Sequence, residues 1–174
     1  SGAEVVDLGI VRDTSGAMLS RVRSAKNLDL VVTTGGASVG VHDHIVSDLN
    51  DSGGSSLNFW KIAMRPGKPL ISGTVDGIPL VGLPGNPVST AVCALVFLRP
   101  AIAHMTRCSK IGSGFINPIF KLPLGVALEK NDHRQDYIRA NLQHSANGLF
   151  ILPSPRQDSS MLSVLATANA LIVR

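Results

Sequence analysis

Short apolar runs alternate with helix-like segments over residues 4–106, and this alternation constrains the fold more than any other feature of the sequence. Residues 30–32 form the continuous apolar run that is typical of a strand buried on both faces. Further along, Asn86 and Pro87 form a strong helix start, because Asn caps a first turn well and Pro suits the first helical position. Strands that alternate with helices predict a mostly parallel, doubly wound α/β sheet. The helices are expected near 15–26, 43–50 and 87–105, and the strands at 4–10, 28–34, 57–64, 69–73 and 78–82.

The pattern changes at residues 107–114, after which no long helical period recurs. The remaining apolar runs are short, β-like and separated by turns, and they lie at 115–128, 136–142, 149–152 and 168–173. We therefore expect an α/β domain over residues 1–108, incomplete at its N-terminus, and a small, barrel-like all-β domain over residues 114–174. Because the chain begins and ends inside predicted strands, we expect it to be a fragment of a longer protein.

Composition excludes several classes of protein. With 44% hydrophobic residues and no low-complexity segment, the chain is not expected to be disordered. The longest strictly apolar run, residues 91–98, is much shorter than the roughly 18 residues of a membrane-spanning helix. The formal charge of +4 is scattered and aromatic residues are few, so neither a membrane nor nucleic acid is an expected partner. Cys93 and Cys108 are too few for a disulfide framework, which favours a reducing, cytoplasmic location.

Three loops have features that favour the binding of an anionic ligand. The glycine-rich loop at 33–40 follows a predicted strand and precedes a helix, where backbone N–H groups can converge on an anion. The turn at 65–69 places two cations around a rigid Pro-Gly pair, close to Lys61. The segment 82–89 combines a capped helix start with the hydroxyl group of Ser89. Each loop also has a purely structural interpretation, as a tight β–α turn, a solvated turn or an ordinary helix cap.

Two aspartates lie near the same predicted sheet edge. Asp13 is in the first predicted β–α turn, and Asp43 comes just after the glycine-rich loop. As a pair they could hold a hydrated Mg²⁺ ion, although each is equally suited to be a helix N-cap. The neighbouring His42 and His44 lack further ligands at zinc spacing. A hydrolytic serine is not supported either, because the sequence has no G-x-S-x-G elbow around its candidate serines.

Three segments occur in a fixed order in the first half of the chain. They are Thr-Thr-Gly-Gly-Ala-Ser-Val-Gly at 33–40, Phe-Trp-Lys-Ile-Ala-Met-Arg-Pro-Gly-Lys-Pro at 59–69 and Gly-Leu-Pro-Gly-Asn-Pro-Val-Ser at 82–89. In this combination they resemble the molybdopterin molybdenumtransferases, the family of MoeA and the gephyrin E domain. Segments 134–140 and 159–172 resemble the small C-terminal β domain of that family. The resemblance covers most of the chain, and it implies a molybdopterin-binding α/β domain followed by that second domain.

The resemblance implies an enzyme of molybdenum cofactor biosynthesis. Its substrates would be adenylylated molybdopterin and molybdate. The phosphoanhydride would be cleaved, AMP would leave, and molybdenum would be placed on the dithiolene. A Mg²⁺ ion held by Asp13 and Asp43 is the implied cofactor. The family also implies a homodimer and an interaction with the molybdopterin adenylyltransferase.

Position by position, the resemblance implies a set of site residues. The implied catalytic residues are Asp13, Asp43, Lys61, Arg65 and Lys68. The implied substrate-binding residues are Thr34, Gly35, Gly36, Ser38, Gly40, Pro84, Gly85, Asn86, Ser89, Arg134 and Ser159. Among the latter, Ser89, Arg134 and Ser159 fall on positions that the family associates with molybdate.

The sequence departs from the family pattern in two places and leaves other functions open. Residues 41–43 read Val-His-Asp, where members usually carry a further acidic residue, and Arg65 stands where Lys is common. The enzymes that adenylylate molybdopterin share the sheet, but they lack the segment at 59–69 followed by a second β domain. The competence-damage family also shares the sheet, but its Pro-Gly loop differs. A gephyrin-like scaffold that binds peptides without catalysis is a further alternative, although a scaffold has no need to keep Asp13, Asp43 and Lys68 together.

Overall fold

The computed structural model describes residues 2–36, 44–107 and 119–174. The helices are α1 (Ala17–Ser24), α2 (His44–Asp51), α3 (Pro87–Cys93), α4 (Arg99–Met105) and α5 (Leu162–Thr167), with a π-helical segment, Ala94–Leu98, between α3 and α4. The strands are β1 (Val31–Thr34), β2 (Ser55–Trp60), β3 (Met64–Arg65), β4 (Ile71–Val75), β5 (Ile78–Leu83), β6 (Gln135–Ser145), β7 (Gly148–Pro153) and β8 (Ala170–Val173). The three helices predicted between residues 15 and 105 are confirmed, with α3, the π-helical segment and α4 forming the third of them.

The first sheet has the strand order β1-β5-β4-β2 and is mixed rather than mostly parallel. β1 and β5 are parallel, whereas β4 is antiparallel to both β5 and β2. The physical reason is the connection between β4 and β5, which consists of Asp76 and Gly77 alone. Their φ angles of 49° and 83° are those of a tight hairpin turn, and a two-residue turn permits only antiparallel pairing. The α/β class is confirmed, and the expectation of a mostly parallel sheet is corrected.

Residues 4–10 do not form the predicted first strand. Gly9 has a φ of 74°, which interrupts an extended backbone, and its N–H donates a hydrogen bond to the carboxylate of Asp7 at 2.8 Å. Ile10 is 99% exposed, whereas Leu8 packs against the core. An apolar run forms a strand only where the edge of another strand can pair with it, and no strand in the described ranges pairs with residues 4–10.

The helical stretch Pro87–Met105 changes its hydrogen-bond pattern in the middle. Pro100 has no N–H, and just before it the ladder shifts to i→i+5, so that the N–H of Arg99 donates to the carbonyl of Ala94. Within the described ranges, this stretch is the one helix long and apolar enough to cross a membrane by length and composition. The core helix of a folded protein meets the same two criteria but is mostly buried, whereas 28% of this stretch is buried, with Val88 on its buried side.

The second lobe is built around β6, which pairs with strands on both sides. β7 and β8 are antiparallel to β6, while β3 extends the sheet in parallel, with Arg65 opposite Asp136. The expected β-rich lobe is confirmed with two corrections: α5 lies between β7 and β8, and the described strands form an open sheet rather than a closed barrel. Of the predicted strand at 115–128, the part up to residue 118 lies outside the described ranges, and the rest forms a single bridge from Leu124 to Ile151.

Two apolar clusters form the core, and the second of them joins the two lobes. The first cluster lies between α1, α2 and the first sheet, and it includes Leu19. The second cluster gathers Val92 of α3 with surrounding side chains that include Leu165 of α5. The helix α5 therefore covers α3, a tertiary contact that no local pattern reveals. The division into domains over residues 1–108 and 114–174 stays a prediction.

Candidate active site

The glycine-rich loop and the start of α3 lie side by side at one edge of the first sheet. β1 ends at Thr34 and β5 ends at Leu83, and because these strands are parallel the chain leaves both at the same edge. The N–H of Gly35 donates a hydrogen bond to the carbonyl of Leu83 at 3.2 Å. A Cβ atom on Gly85 would lie 3.3 Å from the Cα of Gly35, so the two backbones approach closely. The predicted adjacency is confirmed for residues 33–36, the part of the loop that the structure describes.

Asn86 caps α3 and connects it to the second lobe. Its Oδ1 accepts a hydrogen bond from the N–H of Ser89 at 3.1 Å, the contact that defines an N-cap. Its Nδ2 donates to the Oγ of Ser159 at 3.4 Å. Ser89 is 7% exposed, and the preceding Pro84 is fully buried. Asn86, Ser89 and Ser159 therefore form one cluster, although Ser159 lies 73 residues beyond Asn86 in the chain.

A cavity of about 370 Å³ lies beside this sheet edge. It is lined by Thr34, Gly35 and Gly36 on one side and by Asp13 on another. Asp13 is exposed, and its carboxylate accepts no hydrogen bond from any residue in the described ranges. Arg21 contributes positive charge to the same cavity. The cavity therefore combines the backbone of two glycine residues, Gly35 and Gly36, with the carboxylate of Asp13, which is available to a ligand.

Asp48, and not Asp13, accepts the hydrogen bonds donated by the residues just before α1. The Oδ2 of Asp48 accepts a hydrogen bond at 2.8 Å from the N–H of Gly16, the residue that precedes α1. Its Oδ1 accepts a second hydrogen bond from the hydroxyl of Ser15 at 2.9 Å. Asp48 is 5% exposed. Because it belongs to α2, the contact cannot be predicted from the sequence around α1. The interpretation of Asp13 as a helix cap is therefore excluded.

Asp43, which was predicted to hold Mg²⁺ with Asp13, lies outside the described residues, as do Ser38 and Gly40. Within the described ranges, no three His, Cys, Asp or Glu side chains come together as a metal site. Mg²⁺ is commonly bound through one or two carboxylates, with water and substrate phosphates as its remaining ligands. The carboxylate of Asp13 beside the glycine-rich loop fits that mode of binding, and the helix-cap alternative for Asp43 stays open.

A second cavity, of about 320 Å³, is lined by cations from both lobes. Lys61 and Lys68 line it from the segment between β2 and β4, and Arg134 lines it from the segment before β6. The ammonium group of Lys61 lies 3.5 Å from the centroid of the Trp60 ring, a cation–π contact that orients the side chain. The ammonium group of Lys68 donates no hydrogen bond within the described part of the chain. We call this space the cation-lined cavity.

The side chain of Arg65 does not line the cation-lined cavity but binds a carboxylate of the second lobe. Its Nε and Nη2 donate to the two carboxylate oxygens of Asp136, both at 2.8 Å, and Asp136 is only 2% exposed. The Nε of Arg174 donates to the same carboxylate at 3.1 Å. Burial alone would raise the pKa of Asp136, but the hydrogen bonds from both guanidinium groups keep that pKa below its ordinary value. The structure therefore places Arg65 in an ion pair that joins β3 to β6, and Arg65 is not among the residues that line the cation-lined cavity.

Gly67 makes possible the turn that presents Lys68. Its φ of 118° is unfavourable for residues with a side chain. A Cβ atom there would lie 2.5 Å from the Sγ of Cys93 and 3.0 Å from the Sδ of Met64. Burial raises the pKa of the Cys93 thiol to about 12, so this thiol is a neutral packing group beneath the turn. Both the backbone angle and the close packing on α3 therefore require glycine at this position.

We expect Gly67→Ala to lower the free energy of unfolding by roughly 2–4 kcal/mol, because it adds steric overlap to backbone strain. Gly77→Ala is the matched control, since Gly77 has a φ of 83° and no atom within 4 Å of a Cβ placed there. The control should lose about 1 kcal/mol from strain alone. Urea unfolding measures both changes, and equal losses would contradict a packing role for Cys93.

Arg139 is a buried cation that sequence analysis did not single out. It lies in β6, is 1% exposed, and donates from Nη2 to the carbonyl of Asp158 at 3.1 Å. The side chain of Gln157 bonds both the N–H and the carbonyl of Arg139, at 3.0 and 2.9 Å. These contacts hold the chain immediately before Ser159 against β6. The one signal in the sequence was the position of Arg139 within the segment 134–140, which resembled the family.

Two family descriptions match the chain in succession. Residues 1–104 match the family described as "Probable molybdopterin binding domain". Residues 121–174 match the "MoeA C-terminal region (domain IV)".

Relatives of known name match nearly the whole chain. The chain is 33% identical over 172 residues to the molybdopterin molybdenumtransferase of Haemophilus influenzae, and 34% identical over 180 residues to that of Nostoc sp.. These matches cover 98% and 99% of the chain but only 41% and 40% of the two relatives, so the chain spans about two fifths of their length.

Solved structures support the same fold. Two structures titled as molybdopterin biosynthesis MoeA protein from Pyrococcus horikoshii have TM-scores of 0.60 and 0.63, with 24% and 22% identity. They cover 96% and 95% of this chain, which in turn covers 38% and 36% of theirs. At this level of identity the likeness shows a shared fold.

A molybdopterin-binding α/β domain is the class that the first match and the loops at the sheet edge define together. The match of residues 121–174 to the MoeA C-terminal region narrows this class, because that region directly follows the α/β domain in the chain. The chain belongs to the MoeA family, and the resemblance of its sequence motifs is thereby confirmed.

Proposed function

We propose that this chain provides the molybdate-binding and nucleotide-binding parts of an enzyme that inserts molybdate into adenylylated molybdopterin and releases AMP. The observation that carries the proposal is the cation-lined cavity, in which Lys61, Lys68 and Arg134 surround one space. Ammonium and guanidinium groups are the donors that suit a tetrahedral oxyanion. Membership of the MoeA family supports the same reaction.

The adenylylated substrate would lie along the edge of the first sheet. The hydroxyl of Thr34 and the backbone of Gly36 offer donors for phosphate oxygens there. Ser38 and Gly40, which lie outside the described residues, remain proposed ligands of the same substrate. Pro84 and Gly85, together with Gly35, allow the two loops to approach closely enough to enclose them.

Asp13 and Asp43 would hold a Mg²⁺ ion beside this substrate. When bound, the ion supplies positive charge at the phosphate oxygens of the anhydride. The protein's own residues divide the remaining work: Lys61, Lys68 and Arg134 bind and orient the oxyanion, while Asn86 and Ser159 keep the start of α3 against the second lobe. Because Arg65 is engaged with Asp136, its contribution would be to hold the two lobes together.

Family membership also supports three statements about the context of the reaction. They are a cytoplasmic location, a homodimer, and transfer of the adenylylated substrate from the molybdopterin adenylyltransferase. The adenylyltransferase-like and competence-damage-like alternatives are not favoured, because the second region matches the MoeA C-terminal region. A scaffold without catalysis would have no use for a cavity lined by three cations.

The reaction can be tested directly by supplying adenylylated molybdopterin to the full-length purified protein and measuring AMP by chromatography. AMP release that depends on molybdate and Mg²⁺, with molybdenum recovered on the dithiolene, is the expected result. AMP release without any dependence on molybdate would refute molybdenum insertion as the function.

Asp13→Asn and Asp43→Asn are each expected to slow AMP release at saturating molybdate by roughly tenfold to a hundredfold. Each change removes one negative charge proposed to hold Mg²⁺, and additional Mg²⁺ should restore part of the rate. Asp51→Asn is the matched control, because this substitution removes the same charge from an exposed residue at the end of α2. A wild-type rate in Asp43→Asn would show that this carboxylate is a helix cap.

A further inference from the structure

Among the residues that line the cation-lined cavity, Asp132 is the one with a carboxylate. Its Oδ2 accepts hydrogen bonds from the Nη2 and the Nε of Arg134, at 2.6 and 3.1 Å. The Nη1 of Arg65 lies 3.8 Å from the same oxygen. The negative group of the cavity is therefore bonded to a cation that the proposed function assigns to molybdate.

The hydrogen-bond geometry of Arg134 makes this contact consequential. A guanidinium group binds an oxyanion most strongly through two parallel N–H donors. The Nε and Nη2 of Arg134 form such a pair, and both donate to Asp132. Hydrogen bonds from Arg134 hold the pKa of Asp132 well below its ordinary range, so the carboxylate is charged at neutral pH and repels a second anion. Molybdate cannot take this donor pair while Asp132 holds it.

We propose that Asp132 is an internal competitor of the oxyanion, which bonds Arg134 in the absence of molybdate and is displaced when molybdate binds. The inference rests on the proposed function, because it requires an oxyanion in the cation-lined cavity. The side chains of Asp132 and Arg134 are 40% and 30% exposed, and ion pairs this accessible to water are weak enough to exchange partners. Asp132 is then a positioning residue that acts through Arg134 and sets the affinity of the cavity.

The variant Asp132→Asn separates charge from geometry. An Asn side chain keeps an Oδ1 that can accept the hydrogen bond now donated by the backbone N–H of Arg134 at 2.8 Å. We expect the variant to bind molybdate roughly three- to tenfold more tightly than the wild type, because the competing charge is gone. The measurement is isothermal titration calorimetry of the full-length protein with molybdate at fixed ionic strength.

The matched control is Asp76→Asn. Asp76 forms the same kind of two-bond pair with Arg23, at 2.9 and 3.0 Å, but it lies in the turn between β4 and β5. That turn is at the opposite end of β5 from the candidate site, so the control should leave the molybdate affinity unchanged. An equal gain in the control would mean that net charge alone is responsible, and this would overturn the proposal.

The same substitution made in an Arg134→Gln variant tests whether the gain in molybdate affinity depends on Arg134. In Arg134→Gln, the further change Asp132→Asn should no longer tighten binding, because there is no guanidinium group to release. The same gain in both backgrounds would overturn the proposal, and so would unchanged or weaker binding by Asp132→Asn alone. If the wild type binds molybdate and the variant gains nothing, only this inference fails. If neither protein binds molybdate, the proposed function fails as well.

Discussion

Lys68→Ala is expected to weaken molybdate binding by roughly tenfold to a hundredfold, with no loss of folded protein. The ammonium group lies in the cation-lined cavity with Lys61 and Arg134, and no carboxylate in the described ranges pairs with it. Removing it therefore costs a direct charged contact with the oxyanion and leaves no buried partner unsatisfied. AMP release should fall at low molybdate and recover as the molybdate concentration is raised.

The control for this effect is Lys26→Ala, which removes an equal charge from an exposed position just after α1. It should leave the molybdate dependence of AMP release as in the wild type. If Lys68→Ala keeps the wild-type dependence, the assignment of the oxyanion to this cavity is wrong. If both variants lose affinity equally, the attraction comes from the overall charge and not from the cavity.

Asp136→Ala is expected to lower the free energy of unfolding by about 2–3 kcal/mol, less than the loss of a fully buried ion pair because the side chain of Arg65 is 48% exposed. The carboxylate is 2% exposed and accepts hydrogen bonds from both Arg65 and Arg174. Removing it leaves two guanidinium groups without their anion at the junction of β3 and β6. Urea unfolding at pH 7 measures the loss. The exposed pair Arg23–Asp76 is the comparison, and Asp76→Asn, which keeps a side chain suited to the positive φ of this turn, should cost far less.

The contribution of Asp136 has a defined pH dependence. Its pKa is lowered from the ordinary value of 3.8 in the folded state, so the unfolded chain takes up the proton first as the pH falls. The stabilisation is therefore fully present above about pH 5 and is lost as the pH falls through the folded pKa. The difference between wild type and Asp136→Ala should shrink below about pH 4. A difference that stays constant from pH 7 to pH 3 would mean that packing, and not charge, is what the carboxylate contributes.

These expectations give Arg65 and Lys68 different roles, although both are cations of the same short turn. The side chain of Lys68 lines the cavity, whereas that of Arg65 reaches Asp136 in the second lobe. The difference follows from chemistry, because the planar guanidinium group can bind a carboxylate through two parallel hydrogen bonds and an ammonium group cannot. A sequence pattern that counts charges does not distinguish the two.

Local features of the sequence predicted the elements that depend on local physics. Asn86 caps α3 as expected, because an N-cap is defined by a side chain and a backbone N–H a few residues away. The helices of the first half also form where their periodicity indicated. The ordered motifs at 33–40, 59–69 and 82–89 were enough to identify the family, which the matches to both of its regions confirm.

Other features depend on partners that are distant in the chain, and only the tertiary structure decided them. The hydrogen bond to the N–H of Gly16, just before α1, comes from Asp48 on α2, and the partner of Arg65 is Asp136, which lies 71 residues further along. The helix α5 forms where it can cover α3, and residues 4–10 stay out of the sheet because a turn at Gly9 interrupts them. The sequence by itself determined which residues cap, turn and carry charge. The tertiary structure decided which charges meet, because a salt bridge or a cavity depends on the distance between groups in space, and a linear pattern holds no information on that distance.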